Sequence, residues 1–122
     1  MSRLLRWGPL VFWAGLIFLL SHQPGLPVDL GSADWLAHSV AFGVLALTLL
    51  WALSDRGRQR FSTTAVAGVW VVSVVYGVLD EFHQSIIPNR NPSLSDVVAD
   101  AVGALLFLWA GTLVLRARLG RA

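Results

Sequence analysis

The chain has 122 residues, 56% of them hydrophobic and 13% charged, and its mean hydropathy is +0.67. Soluble domains carry about twice that share of charge, so an ordinary soluble domain is excluded, and a single unit spanning residues 1–122 is expected at this length. The chain has no cysteine, which excludes a disulfide framework and thiolate chemistry alike.

Four apolar runs follow one another along the chain. Leu4 to Leu20, preceded by Arg3 and Arg6, predicts a first helix over about 4–20. A signal peptide has the same outline, but Leu19, two residues before Ser21, breaks the small-x-small cleavage pattern, so the segment is kept as a helix. Trp35 to Leu53 predicts a second helix. The third apolar run is Ser62 to Leu79, and its helix is expected to continue through polar residues to about 86, ahead of Pro88. Pro92 and Ser93 introduce a fourth helix over 94–115, and Ser93-Leu94-Ser95-Asp96 reads as a capping box.

Each run approaches the ~20 residues that cross a ~30 Å hydrocarbon core as a helix. The runs are apolar nearly all round, unlike the single stripe of a soluble bundle, and they are too long and uniform for barrel strands. The expected fold is an all-α integral membrane protein with four transmembrane helices.

All nine basic residues are arginine. Arg3 and Arg6 precede the first helix, Arg56, Arg58 and Arg60 link the second and third, and Arg116, Arg118 and Arg121 follow the fourth. These segments share one side of a four-pass topology, so the positive-inside rule places both termini in the cytoplasm. Only Arg90 falls on the other side, where Asp29, Asp34, Asp80, Glu81, Asp96 and Asp100 gather, and Asp55 alone is inside. The sequence pI of about 10.5 thus reflects topology, and no nucleic-acid partner is expected, because the arginines are split among loops.

The outer segments carry the chemistry. Ser21 to Asp34 is broken by prolines and glycines. Each hairpin presents His-Gln at the end of its rising helix, then prolines, then an acid opening the descending helix and an ionisable residue four later: Asp34 and His38 in one, Asp96 and Asp100 in the other. This echo fits either a duplication about an axis along the membrane normal or the limited vocabulary of short polar loops. His38 and Asp100 lie roughly 6 Å deeper than Asp34 and Asp96, each pair on one helix face, and the third helix delivers Asp80, Glu81 and Gln84 to the same level. Ionisable groups at that depth cost a few kcal/mol and normally face the bundle interior. A polar pocket opening outward is expected.

Each residue also has a plainer role. Asp34 and Asp96 complement helix N-termini, and His38 and Asp100 could hydrogen-bond neighbouring helices. Asp80 and Glu81 oppose the dipole of a helix C-terminus, so Arg90 is expected either to clamp them or to orient an anion. His83 is expected to face the interface. The candidate acid–base residues are Glu81, His38 and Asp96, and the candidate ligand-binding residues are Arg90, Gln84, Asp80, Asp34 and Asp100. Asp34, His38, Glu81 and Asp96 are chemically suited to a divalent metal, but no single segment carries a ligand motif, and no metal or cofactor is assigned.

In combination, Asp34, His38 and Phe42, then Asp80, Glu81, Gln84 and Arg90, then Ser93, Asp96, Asp100 and Gly103 resemble the motifs of the VanZ-like membrane proteins. The resemblance runs from the end of the first helix through the fourth. The family often has Lys where this chain has Trp35, an aromatic at Ser39 and Asn at Asp100. The resemblance implies a bacterial cytoplasmic membrane and a family named for an association with resistance to teicoplanin, a lipid-bearing glycopeptide. It does not imply a reaction. Binding to cell-envelope lipids or lipid-bearing glycopeptides is the first expectation. A membrane-embedded hydrolase, phosphatase or transferase acting on a lipid-linked anionic headgroup is the alternative, and a transporter is a weaker third. The sequence leaves the oligomeric state open, although Gly103 and Gly111 could support close helix packing.

Overall fold

The computed structural model describes residues 3–25 and 31–120; Asp29 and Arg121 lie outside them. A 3₁₀ turn at Arg3–Trp7 leads into α1 (Gly8–Ser21), followed by α2 (Ser32–Leu53), α3 (Thr63–Gln84) and α4 (Leu94–Leu119). No strand occurs among the described residues. Four segments, beginning at Leu4, Ser32, Thr63 and Leu94, are long and apolar enough to cross a membrane.

The helix boundaries follow local chemistry. Pro9 sits in the first turn of α1, where its missing N–H is not needed. The start of α2 is Ser32, three residues before Trp35, behind Gly31 with a positive φ of 52°. Ser62 caps α3 by accepting the N–H of Ala65 at 3.1 Å. That helix ends at Gln84 instead of 86, and Ser85 turns the chain away with its hydroxyl on the Phe82 carbonyl. The end of α4 is four residues later than expected, at Leu119, with Arg116 and Arg118 in its last turn. Long arginine stems continue a helix past its apolar part while their charged heads stay in water, and they complement the C-terminal dipole.

The bundle is organised around α2 and α4. A methyl group on Gly103 would lie 1.9 Å from the Ser39 carbonyl oxygen, one on Gly43 would lie 2.5 Å from the Phe107 ring, and one on Gly111 would lie 2.5 Å from Leu47. The contacts Ser39–Gly103, Gly43–Phe107 and Leu47–Gly111 rise in step along both helices, so α2 and α4 run parallel, as a four-pass topology requires. Ser39 adds a hydrogen bond from Oγ to the Ala99 carbonyl at 3.1 Å. Lipid is as apolar as leucine, so association inside a bilayer depends on such close backbone approach instead of on water exclusion. Gly103 and Gly111 therefore serve packing within one chain.

The remaining helices lock onto this pair. Ala46, Leu50, Val69, Ala104 and Leu108 form one buried cluster joining α2, α3 and α4. Ile17 of α1 meets Phe42 and Leu45 in a second. Three half-buried aromatic side chains donate to backbone carbonyls: Trp13 to Ala41 at 2.8 Å, Trp70 to Ala101 at 2.9 Å and Tyr76 to Ala14 at 2.7 Å. At the arginine-rich end Arg6 pairs with Asp55 at 3.7 Å, and Arg60 donates to the Leu119 carbonyl.

Candidate functional site

Beyond Val69, which joins the apolar core, α3 is polar inside and apolar outside. Its buried residues include Ser73, Gly77, Asp80, Glu81 and Gln84, while Val71, Val72, Val75, Val78, Leu79 and Phe82 are exposed. Spacings of three and four place the buried set on one face, turned toward the N-terminal ends of α2 and α4. There the acidic residues converge.

His38 of α2 and Asp100 of α4 form the centre. Nδ1 of His38 lies 2.9 Å from Oδ1 of Asp100, and Asp100 is 0% exposed. The imidazole is parallel to the Phe42 ring, 6.5 Å between centroids. Gly77 of α3 makes room for the aspartate: a methyl group there would meet Oδ2 at 2.7 Å.

Glu81 reaches from α3 to the start of α4. Its Oε2 accepts the backbone N–H of Ser93 at 3.0 Å, while the Ser93 hydroxyl accepts the N–H of Asp96 at 3.1 Å. The expected capping box is thus half realised. Glu81 takes the place of the third-position acid, and Asp96 is left to face the cluster. Oε1 of Glu81 and Oδ2 of Asp100 are buried without a hydrogen-bond partner. Ligand-type atoms of His38, Glu81 and Asp100 lie within 4.8 Å of one another, and so do those of Asp34, His38 and Asp96.

Asp80 stands apart from this centre. Gln84 donates to its Oδ2 at 3.0 Å and to the Ser21 hydroxyl at 3.4 Å, so these two residues fasten α3 to the end of α1. Arg90 departs furthest from expectation. It forms no ion pair with Asp80 or Glu81; its Nη2 donates to the Leu20 carbonyl at 2.6 Å and its Nε to the Gln23 carbonyl at 3.0 Å. Leu20 lies in the last turn of α1 and Gln23 two residues beyond its end, so one guanidinium fork holds that end of the helix by two carbonyls. The clamp exists, but it grips the end of α1. Gly25 completes the docking, with its N–H on the Pro88 carbonyl at 3.2 Å and no space for a side chain against Asn89.

His83, expected at the interface, meets the end of α1 there. Its Nε2 is 3.1 Å from Nδ1 of His22, and both rings stack with Phe18. The echoing residues of the two hairpins therefore meet in space: His22 with His83, His38 with Asp100, and Asp34 with Asp96 in one group around His38. Two hairpins facing each other across an axis along the helices bring equivalent positions together in this way.

Chemically, the acidic end offers Asp34, Glu81, Asp96 and Asp100 as acceptors around one imidazole, with the arginine of that end committed elsewhere. A cavity of about 410 Å³ opens at the opposite end, lined by Leu47, Trp51, Arg56, Leu115 and Arg118 among others. Gly77, Ser39, Ser21 and the Ser93 backbone N–H were not among the sequence candidates. Ser73 and Gly77 sit in register with Asp80 and Gln84 on an otherwise apolar helix, and that register was the available signal.

These residues are also those that carry the resemblance to a known family. The sequence profile described as VanZ/LLP1 matches residues 7–115. The chain belongs to the VanZ/LLP1 family. A protein of Schizosaccharomyces pombe described only as uncharacterised is 32% identical over 100 residues, which cover 82% of this chain and 58% of that protein. The chain thus spans a little over half the length of that relative. No solved structure matches. In this VanZ/LLP1 chain the motif residues divide by task. Phe42, Arg90, Ser93 and Gly103 build the end of the bundle, while Asp34, His38, Glu81, Asp96 and Asp100 supply its ionisable groups.

Proposed function

We propose that this VanZ/LLP1 membrane protein binds the polar headgroup of a membrane lipid, or of a lipid-bearing glycopeptide, at the acidic end of its bundle, facing outward across a bacterial cytoplasmic membrane. The observation that carries the reading is the half-buried His38 paired with the fully buried Asp100 beside Glu81, with two unpartnered carboxylate oxygens. A buried acceptor without a donor costs about 1–3 kcal/mol, and intramembrane ionisable groups mark binding or transport pathways. Four carboxylates favour a headgroup that presents donors, such as sugar hydroxyls or an amine. Arg90 is occupied by α1 carbonyls, which weakens its assignment as an anion clamp. The eukaryotic relative favours membrane lipids in general over a ligand confined to bacterial walls.

Hydrolysis or transfer at a lipid-linked headgroup is the second reading. It is favoured by the histidine–carboxylate pair lying next to an open carboxylate oxygen, a composition suited to general acid–base catalysis by His38, Glu81 or Asp96.

The test is lipid identification by mass spectrometry on protein purified in mild detergent. One lipid class should co-purify with the wild type and be depleted in His38→Gln and Glu81→Gln. Identical lipid profiles for all three would remove the binding reading. Release of phosphate or headgroup from labelled lipids would favour the second reading, and altered teicoplanin susceptibility at matched expression would favour the glycopeptide ligand.

A further inference from the structure

We infer that His38, Glu81 and Asp100 form a site for one divalent transition-metal ion. The inference goes beyond headgroup binding and does not depend on it.

Geometry comes first. Three ligand-type atoms from three helices lie within 4.8 Å of one another. First-row ions bind nitrogen and oxygen at about 2.0–2.2 Å, so the ligands of one ion are at most roughly 4.4 Å apart and a shift of a few tenths of an ångström closes the set. The 2.9 Å between Nδ1 of His38 and Oδ1 of Asp100 suits a hydrogen bond, and it equally matches neighbouring ligands of an octahedral ion with bonds of about 2.05 Å.

The unpartnered atoms are the second, independent observation. Glu81 is 7% exposed and Asp100 0%, yet Oε1 of one and Oδ2 of the other have no hydrogen-bond partner. Both residues are already positioned by other contacts: Oε2 of Glu81 by the Ser93 N–H and Asp100 by the space over Gly77. Such supporting contacts orient metal ligands, and they leave Glu81 an uncommitted oxygen while Asp100 meets His38 through Oδ1.

Charge is the third. A neutral imidazole and two carboxylates sum to −2, which a divalent ion cancels. Arg90, the arginine of this end, is turned to α1. Imidazole with carboxylates suits zinc, manganese, iron or cobalt, whereas calcium takes oxygen ligands alone. Asp34 and Asp96, grouped with the same histidine, flank the ion and can hold its water. Asp100 supplies the second anionic ligand beside Glu81.

The experiment uses full-length protein in detergent, stripped with a chelator and titrated with Mn²⁺, Co²⁺ and Zn²⁺. The wild type should bind one equivalent, melt at a higher temperature with metal, and show imidazole-nitrogen coupling to bound Mn²⁺ by pulsed EPR. Glu81→Gln and Asp100→Asn should each weaken binding by about tenfold or more, while Asp55→Asn at the other end should not. Absence of binding by the wild type at millimolar metal overturns the inference. So does binding without nitrogen coupling, a result that needs no variant to fold, and so does affinity unchanged in both variants. Metal binding with no co-purifying lipid leaves this inference standing and removes the headgroup reading.

Discussion

Asp100 is fully buried against Gly77, with room for nothing between them: a methyl group on the glycine would lie 2.7 Å from Oδ2 and 3.2 Å from Cβ of the aspartate. The short side chain cannot swing clear, because its other oxygen is held by His38. Gly77→Ala is therefore expected to destabilise the protein by about 1–3 kcal/mol, the range for overpacked interiors, and to disturb the His38 contact. Gly68→Ala on the same helix, where the new methyl meets open space, should be close to neutral. Thermal melts of both variants in one detergent check this, and equal melting temperatures would mean that Asp100 is not held by α3.

Glu81 carries two tasks that substitution can separate. Its Oε2 accepts the N–H of Ser93 at the start of α4, and its Oε1 is open. Glu81→Gln keeps an oxygen for Ser93 and removes the charge. Glu81→Ala removes both and strands a helix N-terminal donor, at a cost of about 1–2 kcal/mol. The glutamine variant should thus melt near the wild type while losing lipid and metal binding, and the alanine variant should lose stability as well. If both variants melt alike, the Ser93 contact contributes nothing to the fold.

The four spans were legible because hydropathy over about 20 residues is a strong signal. Their ends were less so. The lengthening of α4 to Leu119 depends on arginine stems at a water boundary, which an apolar window truncates. Much of the site was legible from depth. Asp34, His38, Asp80, Glu81, Asp96 and Asp100 were expected within about one helical turn of one another in depth; all but Asp80 gather around His38, whereas Asp80 is turned to Gln84. The partner of Arg90 was not legible, because charge pairing along the sequence pointed to Asp80 and Glu81, whereas the acceptors are neutral carbonyls of Leu20 and Gln23. Backbone acceptors leave no mark in a sequence. For the same reason the Ser93 N–H was hidden, and the capping box assigned to Asp96 alone missed that Glu81 completes it from another helix.

The arginines predict an orientation that is open to direct measurement. With no native cysteine, single cysteines at Asn91 and Gln59, both exposed, report opposite ends of the bundle. Gly57 is avoided because its φ of 78° strains any side chain. Asn91→Cys should react with an impermeant thiol reagent in intact cells, and Gln59→Cys only after permeabilisation. The reverse pattern would place the acidic end in the cytoplasm and remove outward-facing ligands from consideration.

Arg90 decides between architecture and ligand binding. Two nitrogens of one rigid guanidinium reach two carbonyls, Leu20 at 2.6 Å and Gln23 at 3.0 Å, and this holds the end of α1 against the turn at Asn89. A lysine ammonium is a point donor on a flexible stem and cannot reproduce the fork. Arg90→Lys should therefore lose roughly one hydrogen bond, about 1 kcal/mol, and loosen the end of α1, with faster proteolysis between Ser21 and Gly25. Gly25→Ala should act in the same direction, since its new methyl would collide with the Asn89 carbonyl. Metal affinity at His38, Glu81 and Asp100 should be nearly unchanged in both variants, because none of those residues touches the fork. The contrary result, an Arg90→Lys protein that melts normally but no longer retains its lipid, would return Arg90 to the ligand site and make its carbonyl contacts incidental.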